Sequence, residues 1–234
     1  MLVMLSLQVQ NQIPNISPEE LTYLQSFMLE GRIARFKEML EERTRHLTIV
    51  MDNVVDPYNI SAVMRTAECF GIQDLHLLET DRPFKAARKI QRGSVQWVDL
   101  YKYKPGEESA LQCIRQLKDK GFKIVATTPH TRQQSVAELD ITQPIALVLG
   151  QERDGVSELM KQHADEFVVI PMQGFTESLN ISVAASIMIY ELNKRLRESS
   201  INYHLSEKEK FNIMAKWTYN SLENAEGILK NFEF

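Results

Sequence analysis

Six short apolar runs alternate with helical patterns along the middle of this 234-residue chain. The runs are four or five residues long and rich in Val, Ile and Leu, a composition typical of strands that are buried on both faces. Strands that alternate with helices indicate an α/β fold, with a mostly parallel sheet and helices on both faces. The predicted strands cover 47–51, 75–78, 95–98, 124–127, 145–149 and 167–170.

Helical spacing of apolar residues predicts the remaining elements. Ser17, followed by Pro18 and two acids, is a typical start of the first helix. The chain therefore divides into an N-terminal helical extension (1–45), a core (46–197) and a C-terminal helical extension (198–234). The predicted helices cover 17–45, 59–70, 107–120, 156–162, 179–197 and much of 210–228.

Composition argues against several classes of protein. The two cysteines, Cys69 and Cys113, lie in helical patterns and are too few for a disulfide framework or a zinc site. No apolar run approaches the roughly 20 residues that span a bilayer, and the apolar start lacks the basic flank of a signal peptide. We therefore expect a cytoplasmic protein that does not enter a membrane.

Net charge argues weakly against a nucleic-acid-binding surface, since it is −4 and the pI is about 5.8. Two local basic stripes nevertheless occur. The first is interleaved with three glutamates, so a solvated helix face explains it about as well as a grip on nucleic acid does. The second holds one acid against five basic residues. The stripes are Arg32, Arg35, Lys37, Arg43 and Arg45, and then Arg82, Lys85, Arg88, Lys89 and Arg92. We expect Arg43, Arg45 and all five residues of the second stripe to contact nucleic acid.

Signatures of several common sites are absent. No G-x-G-x-x-G follows the first strand, and neither a G-x-x-x-x-G-K-[ST] phosphate loop nor a G-x-S-x-G elbow occurs. No cluster of His, Cys and carboxylates has the spacing of metal ligands, so no metal is expected. Three polar segments remain, each at the carboxyl end of a predicted strand, where α/β proteins bind ligands.

The first polar segment, 56–67, follows the first strand. Asn59 stands where the next helix begins, and Arg65 lies six residues further along. As an alternative to a binding role, Asn59 could be a helix cap and Arg65 a surface ion-pair partner.

The second and third segments follow the last two strands. In 149–155, Gly150 and Gly155 flank Glu152 in a tight turn, where backbone amides can approach a ligand, although an ordinary turn would have the same pattern. In 170–192, a polar loop leads through Ser178 and Asn180 into a helix, and helix capping is the alternative interpretation of both side chains. The coincidence of three such segments favours a ligand site.

These segments resemble the three motifs of the SPOUT superfamily, specifically the TrmH family of RNA ribose 2'-O-methyltransferases. The resemblance covers roughly residues 45–195, and the flanking helices resemble those of the branch that acts on tRNA guanosine. The motifs match in order and spacing. They are Asn59 with Arg65, Gly150-x-Glu152-x-x-Gly155, and Ile170-Pro171-Met172 leading to Ser178-Leu179-Asn180-Ile181-Ser182.

The resemblance implies a fold and its partners. The fold would be α/β with a deep trefoil knot at the carboxyl end of the core, where the second and third motifs cradle S-adenosylmethionine. The protein would be an obligate homodimer with its site near the subunit interface. Four residues are expected to contact the cofactor and five to form the reactive polar set. These are Thr127, Gly150, Ile170 and Leu179, and then Asn59, Arg65, Glu152, Ser178 and Asn180.

The implied reaction is methyl transfer to a ribose 2'-hydroxyl of tRNA, with guanosine 18 of the D loop as the expected target. Arg65 is expected to hold an RNA phosphate and to stabilise developing alkoxide charge, because a guanidinium stays protonated at neutral pH. The proton acceptor is left open between that phosphate, Arg65 itself and Glu152, whose turn position suggests that it holds the loop together. The alternatives are methylation of ribosomal RNA and a non-catalytic RNA-binding module.

Overall fold

A parallel sheet forms the core of the protein. The computed structural model describes residues 7–9, 13–78, 95–129 and 134–232. Within these residues, the strands are β1 (Leu7–Val9), β2 (Leu47–Asp52), β3 (Asp74–Leu78), β4 (Asp99–Tyr103), β5 (Lys123–Thr127), β6 (Gln134–Ser135), β7 (Ile145–Leu149) and β8 (Glu166–Val169). Their order in the sheet is β1-β4-β3-β2-β7-β5-β8-β6, and every pair is parallel except β1 with β4.

The described residues also contain eight α-helices and one 3-10 helix. None of those in the described ranges is both long and apolar enough to cross a lipid bilayer. They are α1 (Pro18–Gln25), α2 (Glu30–Glu41), α3 (Pro57–Cys69), α4 (Glu107–Asp119), α5 (Glu158–His163), α6 (Ile181–Glu198), α7 (Glu207–Ser221) and α8 (Ala225–Lys230), with a 3-10 helix at Val95–Trp97.

Both faces of the sheet are covered by helices. In β2, Ile49 and Met51 point into the cluster that contains the apolar sides of α3 and α6, whereas Val50 points into the cluster that contains α4 and α5. Alternate side chains of a strand point to opposite faces of the sheet. Because helices cover both faces, all six residues of β2 are buried. The α/β fold class predicted from the sequence is confirmed.

Two predicted elements are wrong. The predicted strand 95–98 is a 3-10 helix followed by β4, whose sequence DLYKY looks too polar for a buried strand. Three of its five residues are buried nonetheless, and Arg45 pairs with the Asp99 carboxylate at the start of β4 at 2.6 Å. The predicted helix 17–45 is two helices, since the backbone at Leu29 is extended and begins a new helix there.

Three further elements escape the sequence pattern. The short edge strands β1 and β6 are three and two residues long, too short for a periodic signal. The C-terminal segment contains two helices, α7 and α8, rather than one.

A second compact unit consists of residues 11–44 and 204–234, separate from the unit that holds residues 1–10 and 45–203. Within it, Trp217 of α7 is almost fully buried, its ring lies 5.5 Å from that of Phe36, and the Arg43 guanidinium stacks over it at 5.2 Å. Lys210 forms an ion pair with Glu41 at 2.7 Å. The division at residues 45 and 197 stays a prediction.

Candidate active site

A cavity of about 620 Å³ opens at the carboxyl ends of β5, β7 and β8. These strands are neighbours and parallel, so the residues that follow them meet at one edge of the sheet. The volume is in the range of sites that enclose a ligand of nucleoside size. All four residues predicted to contact a cofactor line this cavity: Thr127, Gly150, Ile170 and Leu179.

The loop after β7 forms one wall of the cavity. Gln151 and Gly155 exchange two backbone hydrogen bonds of 2.9 and 3.0 Å, which closes a tight hairpin around Glu152. Gly155 has a φ of 69°, a left-handed conformation that favours glycine. A Cβ on Gly150 would lie 2.1 Å from the Gly155 carbonyl carbon, so only glycine fits there. The glycine spacing of the second motif is therefore needed to build this wall.

A buried carboxylate anchors the far end of the same loop. Asp52, the last residue of β2, accepts a hydrogen bond of 2.7 Å from the Ser157 amide, and burial raises the pKa of this carboxyl. The Ser157 hydroxyl in turn accepts a hydrogen bond from the Met160 amide and caps α5. Sequence reasoning missed Asp52. An acid that ends an otherwise apolar strand at the ligand-binding edge is the signal that could have found it.

Three of the predicted reactive residues form one hydrogen-bonded cluster, which we call the polar triad: Asn59, Glu152 and Asn180. Glu152 Oε1 accepts a hydrogen bond from Asn59 Nδ2 at 3.0 Å and another from Asn180 Nδ2 at 2.6 Å. Asn180 Nδ2 also donates to Asn59 Oδ1 at 3.2 Å. Residues from all three motifs, up to 121 positions apart in the chain, thus converge on one carboxylate oxygen.

The orientation of the Asn180 amide is set by the start of α6. Asn180 is the N-cap of this helix, and its Oδ1 accepts hydrogen bonds from both the backbone amide and the hydroxyl of Ser182. Nδ2 must therefore face the triad. The capping interpretation of Asn180 is correct, and it coexists with a role in the triad. The capping interpretation of Asn59 is wrong, because Asp56 is the N-cap of α3.

Arg65 and Ser178 lie outside the triad. Ser178 lines the cavity. Arg65 is exposed on α3, is not among the lining residues, and has no hydrogen bond or ion pair within the described part of the chain. The alternative interpretation of Arg65 as a surface ion-pair partner therefore has no support in the described structure.

The remaining walls combine apolar and charged side chains. Val169, Met172 and Met188 supply apolar surface, while side chains of both charge signs line the cavity, namely Glu152, Asp154 and Glu177 with Arg153 and Lys161. Such a lining suits a ligand with a flat apolar ring and a charged tail. Within the described ranges, no group of three or more His, Cys, Asp or Glu side chains is arranged to hold a metal ion.

The predicted RNA-binding residues fall into two sets. The second basic stripe, Arg82, Lys85, Arg88, Lys89 and Arg92, lies outside the described residues. Of the first stripe, Arg43 stacks over Trp217, and Arg45 forms an ion pair with Asp99 at 2.6 Å and lies 3.5 Å from Asp74. Both guanidinium groups thus have partners within the protein, and their role in RNA binding stays a prediction.

Several relatives of similar length match most of the chain. A protein of Borreliella burgdorferi named tRNA (guanosine(18)-2'-O)-methyltransferase is 37% identical over 211 residues, which are 90% of this chain and 92% of the relative. Proteins of the same name from Aquifex aeolicus and Escherichia coli K12 are 35% and 31% identical, and the matches cover 84% and 80% of this chain and 92% and 82% of the relatives.

Solved structures agree with these relatives. The crystal structure of the TrmH/SpoU tRNA modifying enzyme of A. aeolicus is 35% identical with a TM-score of 0.73, over 82% of this chain and 98% of that one. The SpoU methyltransferase AviRb of Streptomyces viridochromogenes, in complex with the cofactor AdoMet, is 25% identical with a TM-score of 0.58, over 70% and 62% of the two chains. A family model described as the SpoU rRNA Methylase family matches residues 46–190, and the chain belongs to this family.

Proposed function

We propose that this protein transfers a methyl group from S-adenosylmethionine to the ribose 2'-hydroxyl of guanosine 18 in the D loop of tRNA. The observation that carries the proposal is the convergence of Asn59, Glu152 and Asn180 beside a cavity at the carboxyl ends of β5, β7 and β8. The relatives named for this reaction, at 31–37% identity over most of the chain, support the choice of substrate. The family fold implies a deep trefoil knot in the segment that builds the cavity.

The cavity suits S-adenosylmethionine in volume and in the chemistry of its lining. Its apolar wall, which includes Ile170 and Leu179, would hold the adenine ring, and the loop that follows Gly150 would bind polar atoms of the ribose and the methionyl tail. The carboxylates of Glu152 and Glu177 would favour a ligand that carries a sulfonium and an ammonium group. When bound, this cofactor supplies an electrophilic methyl carbon: the O–C bond forms as the S–C bond breaks, and sulfur keeps the electron pair.

Arg65 is our candidate for the residue that acts on the nucleotide. Its exposed guanidinium is available to hold a phosphate of the target nucleotide and to stabilise the negative charge that develops on the 2'-oxygen. The 2'-hydroxyl proton would pass to that phosphate as the O–C bond forms. A hydroxyl held in line with the methyl group gains much of the rate from position alone.

In this proposal, Glu152 has a structural role: it links the hairpin after β7 to the starts of α3 and α6, and it does not accept the proton. Its Oε1 already accepts two amide hydrogen bonds, from side chains that begin α3 and α6. Removing it would release the hairpin from both helices. Ser178 and Asn180 would orient the loop that precedes α6.

The quaternary structure and the cell compartment are further proposals. The outer face of α6 presents Val183, Ile187 and Tyr190, which are 41–53% exposed and lie at helical spacing. An apolar stripe of this kind on a helix beside the cavity supports a homodimer with the site near its interface. In analytical ultracentrifugation, an Ile187→Asp variant should have half the mass of the wild type. An unchanged mass would mean that this face of α6 is not the dimer interface. A tRNA substrate supports a cytoplasmic location.

The test of the proposed function is transfer of labelled methyl to an unmodified tRNA transcript and, in parallel, to a ribosomal RNA fragment, with digestion to nucleosides. We expect 2'-O-methylguanosine from tRNA alone. Label in the ribosomal fragment alone would establish the ribosomal alternative. Cofactor binding without transfer to either RNA would favour the non-catalytic RNA-binding module.

A further inference from the structure

Three hydrogen bonds between polar groups cross the interface of α3 and α6 at its start, middle and end. Both helices leave the carboxyl edge of the sheet and run in the same direction. The first contact is the one between Asn180 and Asn59 within the polar triad, at 3.2 Å. The second joins the hydroxyls of Thr66 and Ser186 at 3.1 Å, and in the third Asn193 Nδ2 donates to the Phe70 carbonyl oxygen at 2.8 Å.

The middle contact has a defined donor. The Ser186 hydroxyl donates its single proton to the Ser182 carbonyl oxygen at 2.7 Å, so the hydrogen bond with Thr66 must be donated by Thr66 Oγ1. Both side chains are half-buried. A residue at position 66 without a donor would therefore leave this contact unmade, while the other two hydrogen bonds across the interface stay in place.

The position of this contact matters because of its neighbours. Thr66 directly follows Arg65 in α3, and Ser186 lies one turn after Ser182, which orients the Asn180 amide. Between the three hydrogen bonds, the interface is built from apolar side chains such as Val63, Ala67 and Ala185. Such contacts are non-directional and tolerate small shifts along the helix axis, whereas a hydrogen bond does not.

We propose that Thr66 and Ser186 form a positioning pair, which fixes α3 against α6 and so sets where Arg65 stands relative to the polar triad. Neither Thr66 nor Ser186 lines the cavity. The pair acts through Arg65, whose guanidinium must meet a nucleotide held at the cavity. The inference rests on the proposed function, because its effect on rate requires that Arg65 serve methyl transfer.

The experiment compares Thr66→Val, which keeps the shape but removes the donor, with Thr66→Ser, which keeps the donor. A displacement of about 1 Å costs up to roughly 100-fold in rate, so we expect kcat of Thr66→Val to fall between about 10-fold and 100-fold. The dissociation constant of S-adenosylmethionine, measured by calorimetry, should stay unchanged. Thr66→Ser should restore kcat to within about threefold of the wild type.

Thr48→Val is the matched control. Thr48 is fully buried in β2, donates a hydrogen bond of 2.7 Å to the Asp74 carbonyl oxygen, and loses the same hydroxyl in the same substitution. It should lower the free energy of unfolding and leave kcat unchanged. A fall in kcat that is equal in Thr48→Val and Thr66→Val would mean that stability alone is measured, and would overturn the positioning pair.

A double-mutant cycle keeps the test independent of catalysis. Thr66→Val and Ser186→Ala should be non-additive in the free energy of unfolding, and the double variant should lose no more kcat than either single variant. Additive unfolding energies would overturn the pair whatever the enzyme does. A wild type that methylates no RNA would refute the proposed function and with it the effect on rate. A normal kcat in Thr66→Val beside an active wild type would refute this inference alone.

Discussion

Two polar clusters lie in the unit that holds the sheet, one at the edge of the cavity and one buried under a helix. The polar triad joins α3, α6 and the loop after β7 at the edge of the cavity, and its Glu152 and Asn180 are exposed. The second cluster lies between the sheet and α4, where the His76 ring stacks on Tyr101 with a centroid distance of 4.8 Å. His76 Nδ1 and the Tyr103 hydroxyl are 3.0 Å apart.

Burial keeps the second cluster uncharged. It lowers the pKa of His76 to about 3 and raises the pKa of the Cys113 thiol to about 12, with a further rise of the pKa of Tyr103 above its usual value. The Tyr103 hydroxyl donates to Gln116 Oε1 at 3.1 Å, so the contact with His76 must use the Nδ1–H tautomer. The hydrogen bonds of His76 Nδ1 and of the Tyr103 hydroxyl are therefore made within the cluster.

The difference separates two uses of polar residues in one fold. None of the members of the second cluster lines the cavity, so we expect this cluster to contribute to stability. The triad leaves Glu152 Oε2 and one Asn59 N–H without a partner in the described structure, beside the cavity and α3, and we expect it to contribute to catalysis. Variants of the buried cluster should therefore lower the free energy of unfolding, and variants of the triad should lower kcat.

The largest expected effect is that of Arg65→Ala. Loss of one group that stabilises developing charge costs about 10²–10³ in rate, so kcat should fall by about this factor while the dissociation constant of S-adenosylmethionine stays unchanged. The free energy of unfolding should also stay unchanged, because the side chain is exposed. Steady-state methyl transfer measures kcat, titration calorimetry measures the dissociation constant, and urea unfolding measures the free energy of unfolding. Turnover near the wild-type rate would remove Arg65 from the mechanism.

Glu152 offers a sharper comparison through two variants. Glu152→Ala frees both asparagine amides and should lower kcat by about 10-fold to 100-fold. Glu152→Gln keeps an oxygen that can accept both hydrogen bonds, so its kcat should stay within about tenfold of the wild type. If Glu152 were instead the proton acceptor, the Gln variant would be as inactive as the Ala variant. The ratio of the two kcat values therefore shows whether Glu152 has a structural role or acts as the general base.

Tyr103→Phe tests the buried cluster. The substitution removes one hydroxyl and leaves His76 Nδ1 and Gln116 Oε1 without this partner, at a cost of about 1–3 kcal/mol in the free energy of unfolding. Methyl transfer by the folded variant should match the wild type. Urea unfolding followed by a rate assay below the transition checks both halves. A catalytic defect without loss of stability would break the comparison between the clusters.

The smallest expected effect is a pH dependence due to His76. The folded-state pKa of about 3 lies below the unfolded value of 6.5, so the unfolded chain binds a proton first as pH falls. The stability is fully present above pH 6.5 and should decrease by about 1 kcal/mol between pH 7 and pH 5.5. His76→Gln should show a shallower decrease over this window. The free energy of unfolding is measured by urea unfolding at each pH. If it fell equally with pH in the wild type and in His76→Gln, His76 would titrate normally in the folded protein.

Sequence reasoning reached those parts of the molecule that depend on local pattern. Apolar runs such as 145–149 predicted strands correctly, because burial on both faces requires continuous apolar sequence. It failed where a tertiary contact compensates a polar residue, as for Asp99 in β4 beside Arg45. It also failed at the break between α1 and α2, where apolar spacing continues through the turn at 26–29.

The site follows the same rule. Motif spacing identified Asn59, Glu152 and Asn180, and strand ends placed them at one edge of the sheet. The sequence could not predict that the side chains of Asn59 and Asn180 both donate to one oxygen of Glu152. Nor could it predict that Asp52 accepts a hydrogen bond from the Ser157 amide, just after the hairpin. Contacts between residues about 100 positions apart depend on packing, which no local pattern records.

The most direct test of the central claim compares two tRNA transcripts that differ by one oxygen atom. One carries guanosine at position 18, and the other carries 2'-deoxyguanosine there, so that only the acceptor hydroxyl is missing. We expect labelled methyl from S-adenosylmethionine on the first transcript and none on the second, with both RNAs bound equally well. Equal transfer to the two transcripts would contradict the proposed target.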